Sequence, residues 1–165
     1  MALIIEAPNE VYSPENSINV KVFLAGGILG CPNWQSYVVS ELKDVPGMTV
    51  YNPRRKDFPE HPAPKASEEQ IAWEFEHLRD ADVVLFWFSP GSPNPMALYE
   101  LGMWANSRTD TISIVGADPT YERRQDVVVQ TRLAKPWMHV FDSLDTMLEE
   151  LDYVVRVLKG EAEEN

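Results

Sequence analysis

The sequence predicts an α/β fold: three layers, α/β/α, around a doubly wound parallel sheet of about five strands. Three observations carry that expectation. Apolar runs of strand length, rich in β-branched and aromatic residues, recur at residues 20–25, 48–51, 82–88, 111–116 and 137–141. Stretches with helical spacing separate them, and strands alternating with helices imply parallel pairing through right-handed crossovers. The chain has 165 residues, 44% of them hydrophobic, which suits one domain with a sizeable core.

The elements follow in order. Residues 1–17 hold the apolar piece Leu3-Ile4-Ile5 and then Pro8, Asn9, Pro14 and Asn16, which reads as an edge strand or hairpin preceding the main fold. The main domain is expected over residues 18–158. Its first strand, residues 20–25, runs straight into Gly26-Gly27, a pair that lets backbone approach a ligand closely, although turn glycines are common. Residues 33–42 have amphipathic helical spacing, with Trp34, Tyr37, Val38 and Leu42 on one face. A second strand at 48–51 leads into a loop at 52–64 rich in proline, with the basic cluster Arg54-Arg55-Lys56. That cluster reads either as a phosphate contact or as a solvated turn.

Ser67 with Glu68, Glu69 and Gln70 reads as a capping-box-like start for a helix over 67–80. Ile71, Phe75 and Leu78 mark its inner face, with Trp73 and Glu74 beside it. The strand at 82–88 then breaks at Ser89-Pro90-Gly91-Ser92-Pro93-Asn94-Pro95. Asn94 before Pro95 reads as an N-cap with proline at the first helical position. The following helix, residues 96–105, is apolar on every side except at Glu100, so it is expected to be buried. Residues 111–116 form the next strand, residues 119–126 a loop, and residues 127–133 a short helix or strand. A last strand at 137–141 precedes a helix over 143–158 whose Leu144, Met147, Leu148, Leu151, Val154, Val155 and Leu158 form a core stripe. Residues 159–165 are an acidic, fraying tail.

Composition excludes several functions. A net charge of −12 argues against a nucleic-acid polymer or an anionic membrane surface as partner. The single cysteine, Cys31, allows no internal disulfide and suggests a reducing compartment. No stretch approaches a membrane span and the N-terminus lacks a signal-peptide pattern, so a cytoplasmic protein is expected. There is no zinc-ligand spacing, no phosphate-binding GxxxxGK[ST] and no GxSxG elbow, and no cofactor or metal is expected.

What remains is acidic. A carboxylate on a greasy helix needs partners or a task. Helical side chains lean toward the helix N-terminus, so Glu100, in the second turn, should face the loop at 89–94. That loop should border the crevice beyond the carboxyl ends of the strands, where open α/β sheets bind ligands. Either Glu100 caps a neighbouring backbone or pairs with an arginine, or it works in the crevice. Asp80 and Asp82 read as boundary residues. Glu74, in mid-helix beside Trp73, is the second carboxylate, or else a solvated position. Paired carboxylates suit glycosyl chemistry, one attacking the anomeric carbon while an acid assists the leaving group. Ser89 and Ser92, at a helix N-terminus, read as anion contacts or ordinary caps. Phe23 and Trp34 could stack a base or fill the core.

The run Ala81-Asp82-Val83-Val84-Leu85-Phe86-Trp87-Phe88, followed by NPMALYELG at residues 94–102, resembles the nucleoside 2-deoxyribosyltransferase family, nearest its divergent deoxyribosyltransferase-like branch. Val22-Phe23-Leu24-Ala25-Gly26-Gly27 with Trp34, and Gln70-Ile71-Ala72-Trp73-Glu74, carry the same likeness over roughly residues 20–140. The resemblance implies a flavodoxin-like fold and oligomers in which a neighbour helps complete each site. It implies that Glu100 is the nucleophile attacking C1′ of the sugar, that Glu74 lies near the second acidic position, and that Gly26 and Gly27 form the turn under the substrate. Asn94 stands where relatives often carry an aspartate, and an amide cannot relay a proton as a carboxylate does. Where a subunit-donated asparagine would be expected the chain has Arg123-Arg124-Gln125-Asp126, and Arg124 is the candidate contact there. The expected activity is cleavage or exchange of the N-glycosidic bond of a nucleoside or nucleotide. A nucleotide-binding or sensing module without turnover, and an interaction protein on an inactive enzyme fold, are the alternatives.

Overall fold

The computed structural model describes residues 1–10, 19–56, 63–105 and 110–161. Its elements are β1 (Leu3–Glu6), β2 (Val20–Gly26), α1 (Trp34–Leu42), β3 (Met48–Asn52), α2 (Pro64–Asp80), β4 (Val83–Phe88), α3 (Pro95–Ala105), β5 (Ile112–Ala117), α4 (Arg124–Ala134), β6 (Val140–Phe141) and α5 (Leu144–Leu158). Among the described residues the sheet has six strands in the order β1-β3-β2-β4-β5-β6, and every neighbouring pair is parallel. This is a three-layer, flavodoxin-like α/β fold.

The strand faces alternate as a sheet buried on both sides requires. From β4, Val84, Phe86 and Phe88 enter one core with Trp73 and Leu78 of α2, Ala97 and Leu101 of α3, and Val127 of α4. Val83, Leu85 and Trp87 enter the other core with Trp34 and Val38 of α1 and Met147 and Leu151 of α5. Chain order moves from β2 outward to β3, then returns to β4 on the far side of β2. The switch of direction therefore falls between β2 and β4, where such sheets open a crevice at their carboxyl ends.

Several local expectations are revised. One holds: the N-terminal edge strand is β1, the sheet's sixth strand, with Leu3 to Glu6 parallel against Thr49 to Asn52 and Ile5 buried in the core. Helix α2 starts at Pro64, whose missing N–H is no loss at the first helical position, so Ser67 lies inside the helix and donates its N–H to the Ala63 carbonyl. Its inner face is Gln70, Trp73, His77 and Leu78, while Ile71 and Phe75 are 58% and 49% exposed. Helix α3 buries only Ala97, Leu101 and Trp104 and leaves Met96, Tyr99 and Met103 exposed. On α1, Tyr37 faces outward and its hydroxyl donates to Asp145. Residues 127–133 are helical, within α4, and β6 is only two residues long, leaving Trp137 exposed. Lys159 caps α5 and its Nζ donates to the Pro46 carbonyl. Part of the proline-rich loop, residues 57–62, lies outside the described residues, as do residues 11–18 of the N-terminal stretch and residues 162–165 of the tail.

Candidate functional site

The carboxyl ends of β2 and β4 are both built for close approach. Gly26 carries its backbone against the Trp87 carbonyl and the Trp34 ring, and Gly27 lies against the Asn94 amide and the Cys31 sulfur. A Cβ at either position would collide with those atoms, which explains the glycine pair without any unusual φ. Across from it, Asn94 holds a φ of 47°, a left-handed conformation that asparagine tolerates better than most residues. Its carbonyl accepts the Leu98 N–H and so starts α3. Its side chain closes the loop instead of the helix end: Nδ2 donates to the Ser89 carbonyl at 3.1 Å and Oδ1 accepts from Cys31 Sγ at 3.1 Å. Tyr121 braces the same loop by donating to the Pro93 carbonyl at 2.8 Å.

Between these ends lies a cavity of about 340 Å³, within the ~300–1,000 Å³ span of small-molecule sites. Its floor and walls are mainly apolar: Phe23, Ala25, Ile28, Leu29, Pro53, Met96 and Ala97. Two acids face into it, Glu74 from α2 and Glu100 from α3. Glu100 is held neutral by its surroundings. Burial, and after it the charge of Glu74, pushes its carboxyl up to about 8. Burial also raises Glu74, against the hydrogen bond from Gln70 that favours its charged form. Among the described residues no ion pair engages either acid, and no lysine or arginine lines the cavity. Apolar walls, a few convergent polar groups and acids of perturbed ionisation are the usual marks of a working site.

The sequence candidates sort by position. Glu100, Glu74, Phe23, Gly26, Gly27, Ser92 and Asn94 all line the cavity. Trp34, Ser89 and Arg124 do not. Trp34 is buried beneath the glycine pair, its Nε1 donating to the Gly27 carbonyl at 3.0 Å, so its ring supports the turn from below. Ser89 ends the strand, is 1% exposed, and offers its carbonyl to Asn94. Arg124 donates to the Ala117 carbonyl and to Asp142, across the C-terminal ends of β5 and β6. Arg54 is no free phosphate contact either: it donates to the carbonyls of Pro32 and Cys31 and to Gln35 Oε1, tying the loop after β3 to the start of α1. Asp80 and Asp82 do hold element boundaries, Asp80 with Lys21 and Tyr51, Asp82 with the Lys21 N–H.

One residue at this site reads from the sequence only as part of a helix start and of the family likeness, not as a site residue. Gln70 lies one helical turn before Glu74 and donates to its Oε1 at 2.8 Å. Its i, i+4 spacing to an inward acid was the available signal.

A family model described as nucleoside 2-deoxyribosyltransferase like matches residues 19–121, well over half of the chain. The match spans β2 through Tyr121 and so includes every residue lining the cavity. No curated protein matches the chain.

Proposed function

The chain belongs to the nucleoside 2-deoxyribosyltransferase like family, and on that premise we propose that it cleaves or exchanges the N-glycosidic bond of a nucleoside or nucleotide through a covalent glycosyl–Glu100 intermediate. The observation that carries this reading is the pair of carboxylates, Glu74 and Glu100, turned from two helices into one apolar cavity at the sheet's carboxyl edge.

The chemistry follows from their states. Two acids in one low-dielectric cavity do not both ionise easily, so near neutral pH the pair keeps one proton, at rest on Glu100. For reaction the proton belongs on Glu74 and the charge on Glu100. A Glu100 oxygen bonds to C1′ of the sugar while the bond from C1′ to the base nitrogen breaks. The base leaves with that electron pair and takes the Glu74 proton. In the second step an acceptor attacks C1′, gives its proton to Glu74 and releases Glu100 as a carboxylate. A second base as acceptor makes the protein a transferase, and water makes it a hydrolase. Asn94, its amide engaged by Ser89 and Cys31, supports the loop and leaves proton transfer to Glu74.

The same reading includes self-association through α3, the helix that carries Glu100. Met96, Tyr99 and Met103 form an exposed apolar stripe on it, and such patches mark contact surfaces.

The test is a chromatographic screen of nucleosides and 5′-nucleotides, with and without an added acceptor base. The expected result is base release or exchange in the wild type and a loss of about a thousandfold or more in Glu100→Ala. Retained turnover in a folded Glu100→Ala refutes the reading. Tight calorimetric binding with no base released over hours favours a sensing module instead.

A further inference from the structure

Gln70 is buried on the inner face of α2. Its Nε2 donates to the Pro53 carbonyl at 2.8 Å and to Glu74 Oε1 at 2.8 Å. This fixes the amide orientation. The reverse orientation would press the amide oxygen against two acceptors, the Pro53 carbonyl and the Glu74 carboxyl.

We propose that Gln70 is the positioning residue of the acid pair: it pins Glu74 Oε1 as an acceptor, so that only the other carboxyl oxygen can carry a proton to the cavity. The proposal deepens the glycosidic reading and rests on it for its catalytic meaning. Its physical basis is separate. An amide that can only donate stabilises the charged form of Glu74, and that charge opposes ionisation of Glu100. Gln70 thereby sets which of the two acids gives up its proton first. It also anchors Glu74 to the loop after β3, since the other half of its donor capacity is fixed on Pro53.

Among the described residues no other titratable side chain lines the cavity beside this pair. β2 brings Phe23 and Ala25, neither titratable, and α3 brings Glu100. The loop before α3 brings Ser92 and Asn94, with the Cys31 thiol and Tyr121 behind Asn94. The loop beyond Pro53 carries Arg54, engaged on the Cys31 and Pro32 carbonyls, and then Arg55.

The experiment is a carbon-13 NMR titration of the full chain labelled at the glutamate carboxyls, with Glu74→Gln and Glu100→Gln assigning the two signals. In Gln70→Met the Glu74 midpoint is expected to rise by about one pH unit, as one charge-assisted hydrogen bond is lost. Midpoints in Gln70→Met that coincide with wild type overturn the proposal. Should Gln70→Met fail to fold, Gln70→Leu removes the donor in a shorter apolar side chain; there a Glu74 midpoint equal to wild type overturns it. In the active protein, Gln70→Met should leave KM little changed and move the base limb of the kcat–pH profile upward with the Glu74 midpoint, since the reaction needs Glu74 protonated. A wild type that releases no base sinks the glycosidic reading while leaving the titration result standing, so the two failures are told apart.

Discussion

Glu74 on α2 and Glu100 on α3 face one cavity, and the charge of the first adds to burial in holding the second neutral up to about pH 8. The two causes separate by mutation. Glu74→Gln removes the charge and leaves the burial. The Glu100 midpoint should fall but stay above the ordinary 4.5. Carboxyl NMR checks this, and a midpoint that does not move would mean that the two acids do not sense each other.

The same shift makes stability depend on pH. Glu100 titrates at about 8 in the folded chain against an ordinary 4.5, so between these values the native state binds more protons than the unfolded one. Stability therefore falls as pH rises through that window and levels off above it. Below the window Glu100 is neutral in both states and adds no penalty. Glu100→Gln, neutral at every pH, should match wild type near pH 5 and melt at a higher temperature than wild type at pH 8–9. Parallel melting curves for the two proteins across that range would contradict the assignment.

Gly27 has no room for a side chain, since a Cβ would strike Asn94 Oδ1 and Cys31 Sγ. Gly27→Ala must push the Asn94 loop outward or break the Cys31–Asn94 hydrogen bond. The expected cost is about 1–3 kcal/mol, typical of overpacking, read from denaturant melts. Cys31→Ala in the same background removes one of the two colliding atoms and should recover part of that loss.

Arg124 separates a structural from a binding role. It is fixed on the Ala117 carbonyl and Asp142, away from the cavity lining. Arg124→Met should leave substrate KM within about twofold and lower stability by about 0.5–1 kcal/mol, as for a largely exposed ion pair. A tenfold rise in KM would return Arg124 to the site.

Sequence pattern located the strands well because every central strand is buried on both faces and reads as a continuous apolar run, as β4 does from Val83 to Phe88. It located Glu100 because a single acid stands out in an apolar helix. It misjudged α2 for a physical reason. The face of α2 turned to the sheet and cavity carries Gln70, Glu74 and His77, polar groups with local partners or a cavity to face, while Ile71 and Phe75 point outward. A hydrophobic stripe therefore indicated the wrong phase by about one position. Trp34 and Arg124 were misplaced for a different reason: a sequence motif gives neighbours along the chain, whereas the burial of Trp34 under Gly26 and the reach of Arg124 to Asp142 are set by packing across elements.

Helix α3 was expected to be buried all round, and its exposed half gives the last prediction. Met96, Tyr99 and Met103 recur at helical spacing and are 58%, 63% and 41% exposed. Leaving three large apolar side chains in water on a helix that also carries Glu100 is unfavourable unless something covers them, and a second copy of the chain would supply a matching face by symmetry. Sedimentation should find the wild type dimeric or larger at micromolar concentration. A Met96→Lys, Tyr99→Lys double variant should sediment as a folded monomer, because like charges brought together across a two-fold axis repel. Base release should fall with it if the neighbour closes the cavity, since Met96 lies both on the stripe and in the cavity wall. A wild type that is monomeric throughout would leave the stripe without that role, and the Glu74–Glu100 chemistry would then have to operate within one chain.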